Sequence, residues 1–123
     1  MRITRIVPVL DAGDVAAVSA FWAGLLGGQV QVEDGWHSVV VDGELLLDVQ
    51  HVPDHVPPQW PDGQPQQAHL DLYVDDIATA HRTAIALGAR PLGDPAAPDG
   101  DVGFAVYADP AGHPFCFCWG SES

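Results

Sequence analysis

Side chains able to ligate a metal, attack a carbon or move a proton are confined to a few places in this chain of 123 residues. Cys116 and Cys118 are the only cysteines, set two apart in Pro114-Phe-Cys-Phe-Cys-Trp119. Residues i and i+2 of a strand share a face, and the strand rise puts their α-carbons about 6.5–7 Å apart, the upper limit for a disulfide. They read as free thiols in a reducing compartment. Cys116 with His69 has the residue types of a thiolate nucleophile and its base, but no oxyanion-hole sequence accompanies them, and no catalytic residue is assigned. His37, His51, His55, His81 and His113 share no spacing that would gather them. His81 falls on the apolar edge of a helical pattern and His113 beside Asp109 in a turn. Gly24, Gly27 and Gly28 stand at a helix end and match no phosphate-binding fingerprint. Trp36 and Trp60 lie in or beside loop sequence, where a large apolar ring needs a reason to be. Two readings stay open for them: a stacking wall for a flat or cationic ligand, or a plug at a sheet end or subunit contact.

Elements must position these groups. Ile3 to Leu10 is rich in β-branched and aliphatic residues and reads as a strand ending in the turn Asp11-Ala12-Gly13-Asp14. Asp14 is a good N-cap, and Val15, Val18, Phe21, Trp22, Leu25 and Leu26 recur at helical spacing until Gly27-Gly28. Gln29 to Val32, Trp36 to Val41 and Glu44 to Gln50 read as strands, the last two joined by Asp42-Gly43, a strong hairpin signal. His51 to Gln67 carries Pro53, Pro57, Pro58, Pro61 and Pro65 and reads as a linker.

The pattern then restarts. Ala68 to Val74 alternates strictly, as a half-buried strand does. Asp75-Asp76 caps a helix with Ile77, Ala80, Ala84 and Leu87 on one face, stopped by Gly88. Arg90 to Leu92 reads as a short strand, Pro95 to Gly100 as a loop, and Val102 to Ala108 as a strand. Asp109-Pro110-Ala111-Gly112 turns the chain into Pro114 to Trp119. Asp14 thus corresponds to Asp76, Leu26-Gly27 to Leu87-Gly88, and Gly43 to Gly112: an internal repeat. The expected fold is α+β, one domain over residues 1–123 made of two βαβββ repeats. Unit one is 1–50, the Pro-rich linker 51–67 and unit two 68–123. The repeats form a curved mixed sheet around a cleft, with the helices outside.

The hydrophobic fraction of 47% suffices for a core without staples. Four arginines face 17 acidic residues, a formal charge of −13. Such a field repels phosphate backbones and anionic membrane surfaces, which disfavours nucleic acid and membrane as partners, and it attracts small cations. No apolar run reaches the roughly 20 residues of a membrane span, and the start lacks a signal-peptide shape, so the expectation is a cytoplasmic protein.

His69-Leu-Asp-Leu-Tyr-Val-Asp-Asp76 and Ala108-Asp-Pro-Ala-Gly-His-Pro-Phe-Cys116, in this element order, resemble the vicinal oxygen chelate superfamily. That group includes glyoxalase I, extradiol dioxygenases, and fosfomycin and bleomycin resistance proteins. Phe21-Trp-Ala-Gly-Leu-Leu-Gly27 and Phe115-Cys-Phe-Cys118 resemble its small glyoxalase-like domains. The resemblance implies a homodimer and, in members that do chemistry, a divalent metal held from the first and last strand of each unit. With Leu70, Leu72 and Val74 facing the helix, His69, Asp71 and Tyr73 face the cavity, and His69 matches a ligand position whose counterpart in unit one is Val7. Cys116 stands where the resemblance puts a glutamate. Leu46, Asp48 and Gln50 face inward in unit one, with Asp48 or Gln50 at the matching position.

A metal set of His69, Asp48 and Cys116 suits zinc rather than the hard-oxygen ions of glyoxalase or dioxygenase sites. The preferred reading is that His69 and Cys116 belong to a cavity wall and no cofactor is needed. The expected function is a metal-independent small-molecule binder, sequestering an aromatic or cationic compound against His69, Asp71, Tyr73, Asp48, Gln50, Trp36, Trp60 and Cys116. The alternative is a metal-dependent lyase or dioxygenase-like enzyme acting on vicinal oxygens. A protein-partner module is a third reading, to be marked by a large exposed apolar patch.

Overall fold

Two aspartates start the two helices. In the computed structural model the Asp14 carboxylate accepts from the Ala17 amide, 3.0 Å away, and Asp76 accepts from the Thr79 amide at 3.2 Å and the Thr79 hydroxyl at 2.9 Å. Each satisfies a backbone donor that the first helical turn leaves without a partner. Helix α1 then spans Val15–Leu26 and helix α2 Ile77–Leu87, and each ends on a glycine in the left-handed region, Gly27 at φ 73° and Gly88 at φ 109°. Only glycine takes that conformation without a Cβ penalty.

The structure describes residues 1–2, 4–59, 61–65, 68–93 and 102–120. They fall into two compact units, Met1–His55 and Val56–Ser123. The division lies inside the segment expected as a linker. Trp60 and the expected loop Pro95 to Gly100 lie outside the described residues.

Unit one contains strand β1 (Val9–Ala12), helix α1, and strands β2 (Gln29–Glu33), β3 (Trp36–Val41) and β4 (Glu44–His51). Its sheet runs β1-β4-β3-β2, with β1 parallel to β4 and the rest antiparallel. Unit two repeats the plan with β5 (Leu70–Tyr73), α2, β6 (Arg90–Pro91), β7 (Gly103–Ala108) and β8 (Pro114–Trp119), in the order β5-β8-β7-β6. The expected α+β class and the pair of βαβββ repeats are therefore what the chain forms, each repeat with its own four-stranded mixed sheet.

One boundary moves. The sequence predicts the first strand over Ile3 to Leu10, but β1 covers Val9–Ala12 and takes in two residues read as turn. Pro8 marks where pairing starts: its carbonyl accepts from the Asp48 amide at 3.0 Å, but it has no N–H to donate to a ladder.

The helix-facing side of each sheet is apolar. In unit one Val18, Phe21 and Trp22 of α1 are buried with Val39, Leu47 and Val49 of the sheet. Phe21 and Trp22 meet edge to face, their centroids 5.2 Å apart. In unit two Tyr107 stacks with Phe115 at 5.6 Å and meets Phe117 edge-on at 5.2 Å, over Ala84 of α2. One polar pair crosses each helix–sheet contact. The Ser19 hydroxyl lies 2.8 Å from His37 Nδ1, and the Tyr107 hydroxyl 2.8 Å from His81 Nδ1. Ser19 and His81 each stand five residues after their cap, so the repeat places both at one helical position.

Candidate functional site

Period-two alternation decides what the other face of each sheet carries. On β8, Phe115, Phe117 and Trp119 are buried, which turns Cys116 and Cys118 to the opposite side. On β7, Ala105 and Tyr107 face the helix, which turns Phe104 and Val106 the same way as the cysteines. The parallel pairing of β5 with β8 sets Asp71 opposite Cys116 and Tyr73 opposite Cys118, while β7 sets Val106 and Phe104 opposite the same two residues.

The result is a pocket of about 340 Å³ lined by His69, Asp71, Phe104, Val106, Pro114, Cys116 and Cys118, all of unit two. Phe104 is 48% exposed, a large ring open to whatever enters. His69 Nε2 lies 3.1 Å from an Asp71 carboxylate oxygen, with both side chains 44% exposed. One ligating atom from each of His69, Asp71 and Cys116 falls within 4.8 Å of the others. Both cysteines are free. Burial raises the Cys116 thiol to about 11, with the negative charge of Asp71, the neighbouring Cys118 and a hydrogen bond to Asp71 adding to it. Cys118 is raised for the same first reason, with Asp71 second. At neutral pH both keep their protons.

Register also identifies the counterparts in unit one. Val9 pairs with Asp48 as Asp71 pairs with Cys116, so Asp48 is the residue equivalent to Cys116 and Gln50 to Cys118. That choice was left open by the sequence. Asp48 is buried and accepts from the Ser38 hydroxyl at 2.6 Å; the Gln50 amide donates to Asp11 at 2.7 Å. Trp36, half-buried on β3, stands opposite Gln50. In unit two Tyr73 is 50% exposed at the end of β5.

Of the expected site residues, His69, Asp71 and Cys116 are gathered in the pocket of unit two. Phe104, Val106 and Pro114 were not expected there. β7 is apolar on both faces, so alternation of polarity gave no signal; only pairing with β8 reveals them. His113 is held within its own turn: the Asp109 carboxylate accepts from the amides of Ala111 and His113, both at 2.9 Å, and from His113 Nδ1 at 2.7 Å.

Residues 8–118 match the family model described as glyoxalase-like domain. The chain belongs to that family. Solved structures named as fosfomycin resistance proteins or as members of the glyoxalase/bleomycin resistance protein/dioxygenase family share the fold of this glyoxalase-like domain. The fosfomycin resistance protein FosX from Listeria monocytogenes is 12% identical with a TM-score of 0.73, over 100% of this chain and 95% of that one. FosX from Mesorhizobium loti is 10% identical with a TM-score of 0.71, over 98% and 95%. A glyoxalase/bleomycin resistance protein/dioxygenase family enzyme from Burkholderia phytofirmans PsJN is 18% identical with a TM-score of 0.67, over 89% and 93%. No curated protein matches the chain.

The divalent metal that the resemblance implies for catalytic relatives would have to be held by these donors. A hard divalent ion wants several oxygen or imidazole ligands. Val7 offers nothing, the carboxylate of Asp48 is engaged by Ser38, and Cys116 offers a soft sulfur. Asp71 and His69 remain, already paired with each other. The donor set does not fit a hard ion. Among the described residues, no helix is long and apolar enough to cross a membrane.

Proposed function

We propose that this glyoxalase-like domain binds a small molecule in the pocket of unit two and needs no divalent metal to do so. The composition of that pocket carries the reading: Phe104, Val106, Pro114 and two protonated thiols form its apolar walls, and His69 and Asp71 supply the polar contacts. A mostly apolar cavity with a few convergent polar groups is the usual make-up of a ligand site. Phe104 offers a ring face for stacking, and Asp71 a negative charge at its edge. The net charge of −13 favours cationic compounds further. Structural neighbours named for resistance to fosfomycin, or grouped with bleomycin resistance proteins, fit a small-molecule ligand. We take the working form to be a cytoplasmic homodimer, as the family resemblance implies.

Calorimetric titration with a panel of flat aromatic cations and their neutral isosteres tests this. Val106→Trp fills the pocket and removes binding; Phe104→Ala weakens it by about 1–2 kcal/mol, the scale of a lost ring contact. Unchanged binding by Val106→Trp places the ligand elsewhere. The enzyme reading rests on the convergence of His69, Asp71 and Cys116. It gains if protein purified without a metal-affinity step carries one metal per chain that His69→Ala loses.

A further inference from the structure

The mismatch with a hard ion points to a different occupant. Cys116 and Cys118 lie on one face of β8, both line the pocket, and neither is in a disulfide. Their i, i+2 spacing on a regular strand explains why they stay apart. A disulfide brings two sulfurs to about 2.05 Å, which strains α-carbons standing about 6.5–7 Å apart. A cation inserted between them relaxes that demand. Two metal–sulfur bonds of about 2.3 Å end to end let the sulfurs stand up to about 4.6 Å from each other.

We propose that Cys116 and Cys118 form a two-thiol site for a soft, thiophilic monovalent cation of the copper(I) type. Softness decides the class, because sulfur ligands select such cations over hard ones. Geometry supports the pair: both side chains turn to the same side of β8 and both line the pocket. Phe104, Val106 and Pro114 line the pocket beside the two thiols. The step balances without redox change. Two S–H bonds break, two metal–sulfur bonds form, two protons leave to solvent, and the bridged cation carries one net negative charge. The site depends only on two thiols of one strand, so it stands or falls apart from the organic ligand proposed above, which the cation would displace.

The test is an anaerobic titration of the reduced full chain with silver(I), a redox-inert soft cation, followed by ultraviolet charge-transfer absorption and by proton release. The expected result is one silver ion per chain with two protons released. Saturable one-to-one binding is lost in Cys116→Ser and in Cys118→Ser. Cys116→Ala and Cys118→Ala serve wherever a serine variant fails to show a native melting transition. Two ions bound independently, one retained by each single-cysteine variant, overturns the shared site. Undiminished binding by the double variant overturns it too. The titration with organic cations is read separately, so loss of one result leaves the other intact.

Discussion

At the scale of single residues, the Cys116 proton governs what the pocket can do. Burial first, then the Asp71 carboxylate, hold that proton on up to about pH 11, against an ordinary value of 9.0. A thiol of that kind is a poor nucleophile at neutral pH, which argues against a Cys–His reaction centre. Alkylation by iodoacetamide, followed on the Cys118→Ser variant, is expected to rise with pH toward a midpoint near 11. Asp71→Asn should bring that midpoint down. Modification at pH 7 as fast as in a free peptide would mean that the thiol is not shielded. The same shift has a consequence for stability. As pH rises above 9.0 the unfolded thiol ionises first, so the contribution of Cys116 to stability is full below that point and is lost toward about 11. Melting temperatures of wild type and Cys116→Ser across that range should converge. The pocket-facing side of β5 and β8 was legible in the sequence because large apolar residues alternate with His69, Asp71, Cys116 and Cys118. The pocket's apolar wall was not legible, because Phe104 and Val106 alternate with Ala105 and Tyr107, and neither face of β7 is polar.

At the scale of elements, caps, hairpins and glycine stops were readable because each rests on local chemistry. The start of β1 was not, since the aliphatic run before Pro8 has strand propensity but pairing is decided by β4. The polar pairs beneath the helices were also hidden. Nothing in the spacing of Ser19, His37, His81 and Tyr107 brings them together until each helix lies on its sheet. Tyr107 is buried, and its hydroxyl and His81 Nδ1 lie 2.8 Å apart. Tyr107→Phe keeps the ring packing and removes that bond. A loss of about 0.5–1.5 kcal/mol is expected in denaturant unfolding, the net worth of one such bond. A loss several times larger would mean that the hydroxyl also holds the ring stack with Phe115 and Phe117. Gly28 gives a stronger expectation. A Cβ there would stand 2.4 Å from the Val40 carbonyl oxygen, so Gly28→Ala must push β3 away from the end of α1. Its melting temperature should fall well below that of wild type.

At the scale of the whole molecule, duplication and charge set the terms. The two units share one plan, yet equivalent positions have diverged in chemistry: Val7 against His69, Asp48 against Cys116, Gln50 against Cys118. In unit one the polar members of this set are tied to Ser38 and Asp11, and in unit two they line a pocket. The open pocket belongs to one copy and these internal bonds to the other. The charge of −13 acts over the entire surface. Added salt screens that self-repulsion, so melting temperature should rise with ionic strength while affinity for a cationic ligand falls. A neutral isostere should show no such loss.

The parallel pairing of first with last strand has a consequence for the order in which the chain acquires its structure. In each unit the earliest strand to be synthesised waits for the latest: β1 for β4, β5 for β8. Helix α2 can form while β5 still has a bare edge, and the floor of the pocket is laid down only with the final strand. Loop closure across a whole unit must therefore precede its reward, which favours slow, late completion of unit two during translation.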